Sequence, residues 1–172
     1  MTTNTRFTSR TAIFAYGAIV AVVAAIIGAL FIAPLLDTKR QFANYNVDNA
    51  NVAIHGYDTV AYFTDGKPTK GKNKFEHEWE DARWLFSSAT NLELFKANPR
   101  RYAPQFGGYC AGGLAVGEYA DVDPELFSIV DGKLYLIVNE KHQAVWNGSP
   151  ETSIHFGEYN WEHFRDRLRD NL

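Results

Sequence analysis

The chain has 172 residues, of which 46% are hydrophobic and 22% are charged, and this composition belongs to a folded globular protein rather than to a disordered or collagen-like one. Seventeen basic and 20 acidic residues give a formal net charge of -3, so no overall basic field exists to bind nucleic acid. Cys110 is the only cysteine, which excludes an intramolecular disulfide and a zinc site built from several cysteines.

The N-terminal part contains a long hydrophobic segment, because residues 11–36 carry no charged side chain. At 1.5 Å per residue, a helix of this length exceeds the roughly 30 Å hydrocarbon core of a bilayer. A cleaved secretory signal is the alternative, but its apolar region has only about 7 to 15 residues and ends in a small-x-small cleavage site. We therefore predict an N-terminal tail at 1–10, one transmembrane helix at 11–36, a polar tether at 37–51 and a folded domain at 52–172.

The sequence gives a weak signal for the orientation of this segment across the membrane. Arg6 and Arg10 precede the segment and Lys39 and Arg40 follow it, so the positive-inside count is tied. The free N-terminal amine adds positive charge on the side of the N-terminal tail, and Asp37 reduces the positive charge on the side of the domain. We expect the N-terminus inside and the domain outside.

Two β-hairpins are predicted in the domain. Aromatic rings recur at every second residue in 75–79 and again at 84 and 86, on either side of the polar bend 80–83. In the second hairpin, the strands 127–130 and 133–138 flank an Asp-Gly pair that suits a type I′ turn. The apolar stretch 55–63 fits either one or two helical turns or a strand.

Three helices complete the predicted elements. Ser87 or Ser88 is a suitable N-cap for a helix that ends before Pro99. Asn139 caps a second helix, which ends at Gly148 and Pro150, and a third begins near Gly157 and should pack on the sheet. These elements predict an α+β domain of antiparallel hairpins packed with helices.

The glycine-rich run 106–117 is the most unusual stretch of the sequence. It lacks the Lys-Ser/Thr pair of a phosphate-binding loop, so we interpret it as a tight crossing of the backbone under Tyr109. Cys110 lies within the run and is a candidate nucleophile or soft metal ligand, although a single buried cysteine usually behaves as a small hydrophobic residue.

No histidine pair has the spacing of a metal site, and no GxSxG motif is present. His77 alternates in phase with Phe75 and Trp79, which favours a partly buried core histidine. We therefore predict no catalytic residue, and retain Cys110, His77 and His55 as weak candidates for metal ligands.

Five segments together resemble the YHS-domain family in its longer, single-domain bacterial form: HGYDTVAYF at 55–63, WLFSS at 84–88, NPRRYAP at 98–104, GGYCA at 107–111 and VDGKLYL at 130–136. In the short YHS modules of metal-transport ATPases, a Phe-Cys-Ser-x-x-Cys-x-x-x-Phe pattern supplies two cysteines as implied metal ligands. Ser87 and Asn91 stand at these two positions here, and neither offers a thiolate to a soft ion.

We therefore expect a non-enzymatic, membrane-anchored binding or accessory module that docks to an integral membrane protein complex and contacts the bilayer through 11–36. The expected location is the bacterial inner membrane, with one span and a periplasmic domain. One alternative is metal handling, with copper bound by Cys110 and histidines such as His77 and His55. A second alternative is a small enzyme with Cys110 as its nucleophile. The leading interpretation needs no cofactor, and copper is the cofactor of the first alternative.

Overall fold

The computed structural model describes residues 44–169, including the side chains of 44–165. The predicted tail (1–10), transmembrane helix (11–36) and first part of the tether (37–43) lie outside the described residues. Between residues 44 and 169, no helix combines the length and the apolar character needed to cross a membrane.

The domain is α+β, and both predicted hairpins are present. Strand β1 (Lys72–Trp79) pairs antiparallel with β2 (Ala82–Phe86), and β3 (Asp123–Val130) pairs antiparallel with β4 (Lys133–Ile137). The hairpins form two separate two-stranded sheets instead of one continuous sheet. Each hairpin also contains a register shift near its open end, because one strand carries extra residues there.

The turn of the second hairpin follows the backbone rule on which its prediction was based. Asp131 and Gly132 have φ values of 50° and 70°, as a type I′ turn requires at both central residues. Glu80 and Asp81 adopt the same left-handed region, at 50° and 60°, without any glycine to relieve it.

Six α-helices occur in the described part of the chain: α1 (Ala61–Thr64), α2 (Ala89–Ala97), α3 (Pro99–Tyr102), α4 (Ala111–Ala115), α5 (Glu140–Gly148) and α6 (Pro150–Arg169). The stretch 55–63 thus ends in one right-handed helical turn, α1, and begins in the short turn Ile54–Gly56, whose three residues all have positive φ. Ser88 caps α2 by accepting the Asn91 amide at 3.1 Å, and Asn139 caps α5 by accepting the His142 amide at 3.0 Å.

The predicted start of the last helix is wrong. Helix α6 begins at Pro150, where proline suits the first helical position, and it continues through Gly157. A Cβ atom at residue 157 would lie 2.8 Å from Cζ of Phe106, so the glycine permits close packing rather than starting the helix. We also predicted that this helix packs on the sheet, and this prediction is wrong for its main contact. Helix α6 packs chiefly against α4, which lies in the glycine-rich run.

One buried cluster joins the two hairpins. Trp84 and Phe86 from β2, Phe95 from α2, Leu136 from β4 and Trp146 from α5 are all at most 1% exposed. Because both hairpins bury a face in the same cluster, the segments between them are held in fixed positions.

Candidate functional site

A buried carboxylate, Asp58, lies at the centre of a polar cluster that joins three segments of the domain. Asp58 is 0% exposed. Its Oδ2 atom accepts hydrogen bonds from the Ser87 amide at 2.8 Å, the Ser87 hydroxyl at 2.7 Å and Nδ2 of Asn91 at 2.7 Å. Its Oδ1 atom accepts the amides of Val60 at 2.9 Å and Ala61 at 3.3 Å. We refer to Asp58, Ser87 and Asn91 as the polar centre.

Local structure explains why these side chains meet. Asp58 precedes α1 and binds the amides two and three residues further along, as aspartate commonly does at the start of a helical turn. Ser87 directly follows β2, and Asn91 lies in the first turn of α2. The polar centre therefore joins the start of one helix, the end of a strand and the start of a second helix.

In the resemblance to the short YHS modules, Ser87 and Asn91 stand at the two cysteine positions. Their side chains lie together, with Nδ2 of Asn91 3.3 Å from Oγ of Ser87. The two side chains are therefore neighbours, but their polar atoms are a hydroxyl oxygen and an amide nitrogen that already bind Asp58. A carboxylate with five donors uses the acceptor capacity of both oxygens.

Cys110 is fully buried at the N-cap of α4. Its Sγ atom accepts the Gly113 amide at 3.3 Å, which is the usual role of a capping side chain. Burial raises the pKa of the Cys110 thiol, although nearby backbone amides oppose this shift. The neutral thiol is therefore favoured, whereas nucleophiles and soft metal sites use the thiolate.

The glycine-rich run contains the close backbone approaches that its sequence indicated. A Cβ atom at Gly112 would lie 2.3 Å from the carbonyl oxygen of His142, and one at Gly107 would lie 2.3 Å from that of Asn44. Gly107 and Gly108 also have φ values of 61° and 77°. These glycines therefore serve backbone packing, which agrees with the interpretation of the run as a tight crossing.

His55 belongs to a second polar group, at the surface. Its Nε2 atom lies 2.8 Å from Oδ1 of Asp121, which also accepts Nδ2 of Asn46 at 2.6 Å and the Val122 amide at 2.7 Å. The hydrogen bond to Asp121 raises the pKa of His55. Burial alone would raise the pKa of Asp121, but the hydrogen bonds from His55, Asn46 and Val122 lower it to about 2. The pair therefore favours an imidazolium beside a carboxylate.

The remaining ligand candidate, His77, lies on β1 with its ring 6.4 Å from that of Phe95 in an edge-on arrangement. It is partly buried beside the core. Among the side chains of residues 44–165, no three His, Cys, Asp or Glu groups are placed so that they could hold a metal ion. His55, His77 and Cys110 thus have separate local roles in the described domain.

A third polar group was not predicted from the sequence. His142 is buried, with Nε2 3.0 Å from Oε2 of Glu118 and Nδ1 3.0 Å from Oδ1 of Asn139. Both ring nitrogens face oxygen acceptors, which holds the start of α5 against the segment that follows α4. The only sequence signal was the N-cap residue Asn139, because Glu118 lies 24 positions away.

The comparison with known families agrees with the motifs. Residues 60–106 match the model of the YHS domain, and this range contains both Ser87 and Asn91. Asp58 and Cys110 lie just outside it. No curated protein and no solved structure matches the chain. The predicted resemblance is confirmed for this segment, and the chain contains a YHS domain.

Proposed function

We propose, from the YHS domain at 60–106 and the uncharged segment at 11–36, that this protein is a single-pass, membrane-anchored accessory module whose domain docks to an integral membrane protein complex. The segment 11–36 supplies the anchor. The domain supplies a binding surface rather than a reactive centre.

The buried polar groups support a binding role over a chemical one. The polar centre satisfies its own hydrogen bonds, so Ser87 and Asn91 have no free donor set for a soft ion. Cys110 is 0% exposed, and its environment favours the neutral thiol. A cysteine nucleophile needs an accessible thiolate, and this environment disfavours both the access and the charge.

The observation that carries the proposal is an exposed aromatic flank on α6. Phe156 and Tyr159 are 49% and 59% exposed although both carry large apolar rings. They are three residues apart and therefore neighbours on the helix surface, and the ring of His163 lies 4.2 Å from that of Tyr159. Aromatic residues are enriched in the cores of protein interfaces, where rigid rings bury much area at low entropic cost.

The predicted tether restricts the choice of partner. Residues 44–51 of this segment pack on the domain, so residues 37–43 alone remain as a linker, and a chain of seven residues has a root-mean-square reach of about 15 Å. The aromatic flank would therefore stay near the bilayer, within reach of proteins embedded in the same membrane.

Co-purification of full-length variants tests the docking proposal. We expect Phe156→Ser/Tyr159→Ser to lose, in mild detergent, the membrane proteins that elute with the wild type in stoichiometric amount. Ile129→Ser is the matched control, because Ile129 is also an exposed apolar residue (38%) but lies on β3. Equal recovery from the double variant and the control would contradict docking through α6.

Cysteine labelling of intact cells tests the proposed topology of a periplasmic domain in the bacterial inner membrane. Asn147 is exposed, whereas Cys110 is buried and gives little background. A membrane-impermeant maleimide should label Asn147→Cys in a Cys110→Ala background without cell lysis. Labelling that requires lysis would place the domain on the cytoplasmic side.

Copper handling is the second candidate function, and the partly exposed imidazole of His55 beside Asp121 is the observation in its favour. The full-length protein would be incubated with copper, desalted and analysed for bound metal. One retained ion per chain that is lost in His55→Ala would place this candidate first.

A further inference from the structure

A groove of about 530 Å³ lies where the described chain begins. Tyr45 and Trp161 contribute aromatic rings to its lining, and Arg100 and Arg165 contribute guanidinium groups. The amide of Asn46 donates to the carbonyl oxygen of Gly107 at 2.7 Å, which fixes this first segment against the glycine-rich run. The groove is therefore part of the folded domain.

The charges in this groove favour an anion. Arg100 and Arg165 are exposed, and neither forms an ion pair with a carboxylate of the described residues. Glu80 is the single carboxylate among the described lining residues. Burial and the Glu80 carboxylate raise the pKa of Tyr45 to about 12, and Arg100 and Arg165 both oppose this shift, so the two guanidiniums and the one carboxylate act on the same phenol. Guanidinium groups bind phosphate oxygens in a bidentate manner.

The location of the groove indicates which anion is near. Seven residues separate Leu36, the end of the predicted membrane helix, from Asn44 at the edge of the groove. A flexible segment of that length has a root-mean-square reach of about 15 Å. The groove would thus lie close to the lipid head groups, where tryptophan and tyrosine side chains are also enriched.

We propose that this groove binds the phosphate of a membrane phospholipid head group through Arg100 and Arg165, with Trp161 against the head group. The inference rests on the proposed membrane anchor. Residues 43–172 carry 13 basic and 19 acidic residues, a net charge of -6, which opposes flat adsorption to an anionic surface. Binding at one arginine-lined groove would instead orient the domain at a single point of contact.

Fluorescence quenching in lipid nanodiscs tests the proposal on the full-length protein. The nanodiscs contain phosphatidylcholine and phosphatidylglycerol, with a fraction of lipid that carries a nitroxide quencher on its head group. We expect quenching of tryptophan emission in the wild type, and its loss in Trp161→Phe. The variant Arg100→Gln/Arg165→Gln should reduce the quenched fraction at least twofold.

A matched variant and a second ligand separate the explanations. Lys133→Gln/Lys141→Gln removes the same charge from exposed positions outside the groove and should quench as the wild type does. Equal quenching in the arginine variant would overturn the proposal. Release of the wild-type contact by excess inorganic phosphate, to the level of the arginine variant, would overturn it in favour of a free-anion site. Failure of the protein to remain with the nanodiscs would refute the anchor itself, and the head-group site with it.

Discussion

Replacement of Asp58 by asparagine should strongly destabilise the domain. The asparagine keeps the shape of the side chain and one carbonyl oxygen, which can still accept the amides of Val60 and Ala61. Its NH₂ group then faces the three donors that Oδ2 accepts in the wild type. The Ser87 hydroxyl can rotate and accept a hydrogen bond, but the Ser87 amide loses its acceptor and Nδ2 of Asn91 loses the shorter of its two hydrogen bonds.

The expected magnitude follows from these two donors. A buried donor without an acceptor costs about 1–3 kcal/mol. Because the Ser87 amide is only partly buried, we take the lower half of this range and expect Asp58→Asn to lower the free energy of unfolding by about 3 kcal/mol. The control is Asp65→Asn, since the Asp65 carboxylate is exposed and accepts one bond from Thr64. It should change stability by less than about 0.5 kcal/mol.

Urea unfolding of the full-length protein in mild detergent measures this difference. All four tryptophans lie between residues 79 and 161, so their fluorescence reports on the domain. A loss for Asp58→Asn no larger than the loss for Asp65→Asn would show that the polar centre does not stabilise the fold, and the reasoning from its five hydrogen bonds would be refuted.

Three further predictions concern other features of the domain. Gly112→Ala should lower the melting temperature far more than Gly148→Ala, because a Cβ at residue 112 would lie 2.3 Å from a backbone oxygen, whereas a Cβ at residue 148 would have no atom within 4 Å. Equal melting temperatures would contradict the close approach of α4 and α5. Asp121→Asn should make the free energy of unfolding depend less on pH between about 2 and 4. A carboxyl whose pKa falls from 3.8 to about 2 on folding contributes stability above pH 3.8 and loses it as the pH falls towards 2. An unchanged pH profile in urea titrations would argue against the pair with His55. Ser87→Cys/Asn91→Cys should bind one Cu(I) per chain in a competition titration with a chromophoric chelator, because the side-chain atoms at 87 and 91 are only 3.3 Å apart and two thiolates would then face one ion. The wild type and Cys110→Ser should not bind Cu(I) tightly. Tight binding by the wild type that Cys110→Ser abolishes would reverse this view.

Elements whose signals are local in sequence were predictable. The Asp131-Gly132 turn needs only two adjacent residues, and the caps at Ser88 and Asn139 need only the following turn. The start of α6 was missed because Gly148 and Pro150 were interpreted as the end of the preceding helix. Proline also suits the first turn of a new helix, and the Ser149 hydroxyl lies 3.4 Å from the Thr152 amide at this start.

The polar centre could not be assembled from the sequence in the same way. Asp58 lies 29 and 33 positions from Ser87 and Asn91, so their contact depends on how β2 and α2 pack on the segment before α1. The family pattern marked residues 87 and 91 but gave no indication of their partner. A charged residue inside the apolar stretch 55–63 was the one available signal, and charge alone does not say whether a residue is buried.

The polar centre also changes what this domain requires in order to fold. A metal ion bound between residues 87 and 91 would have to be acquired from the surroundings, and a chelator could remove it. Asp58 is synthesised with the chain and joins the same two positions to a third segment. This junction can therefore form as soon as the three segments meet, at any metal supply, and a chelator has no ion to remove from it.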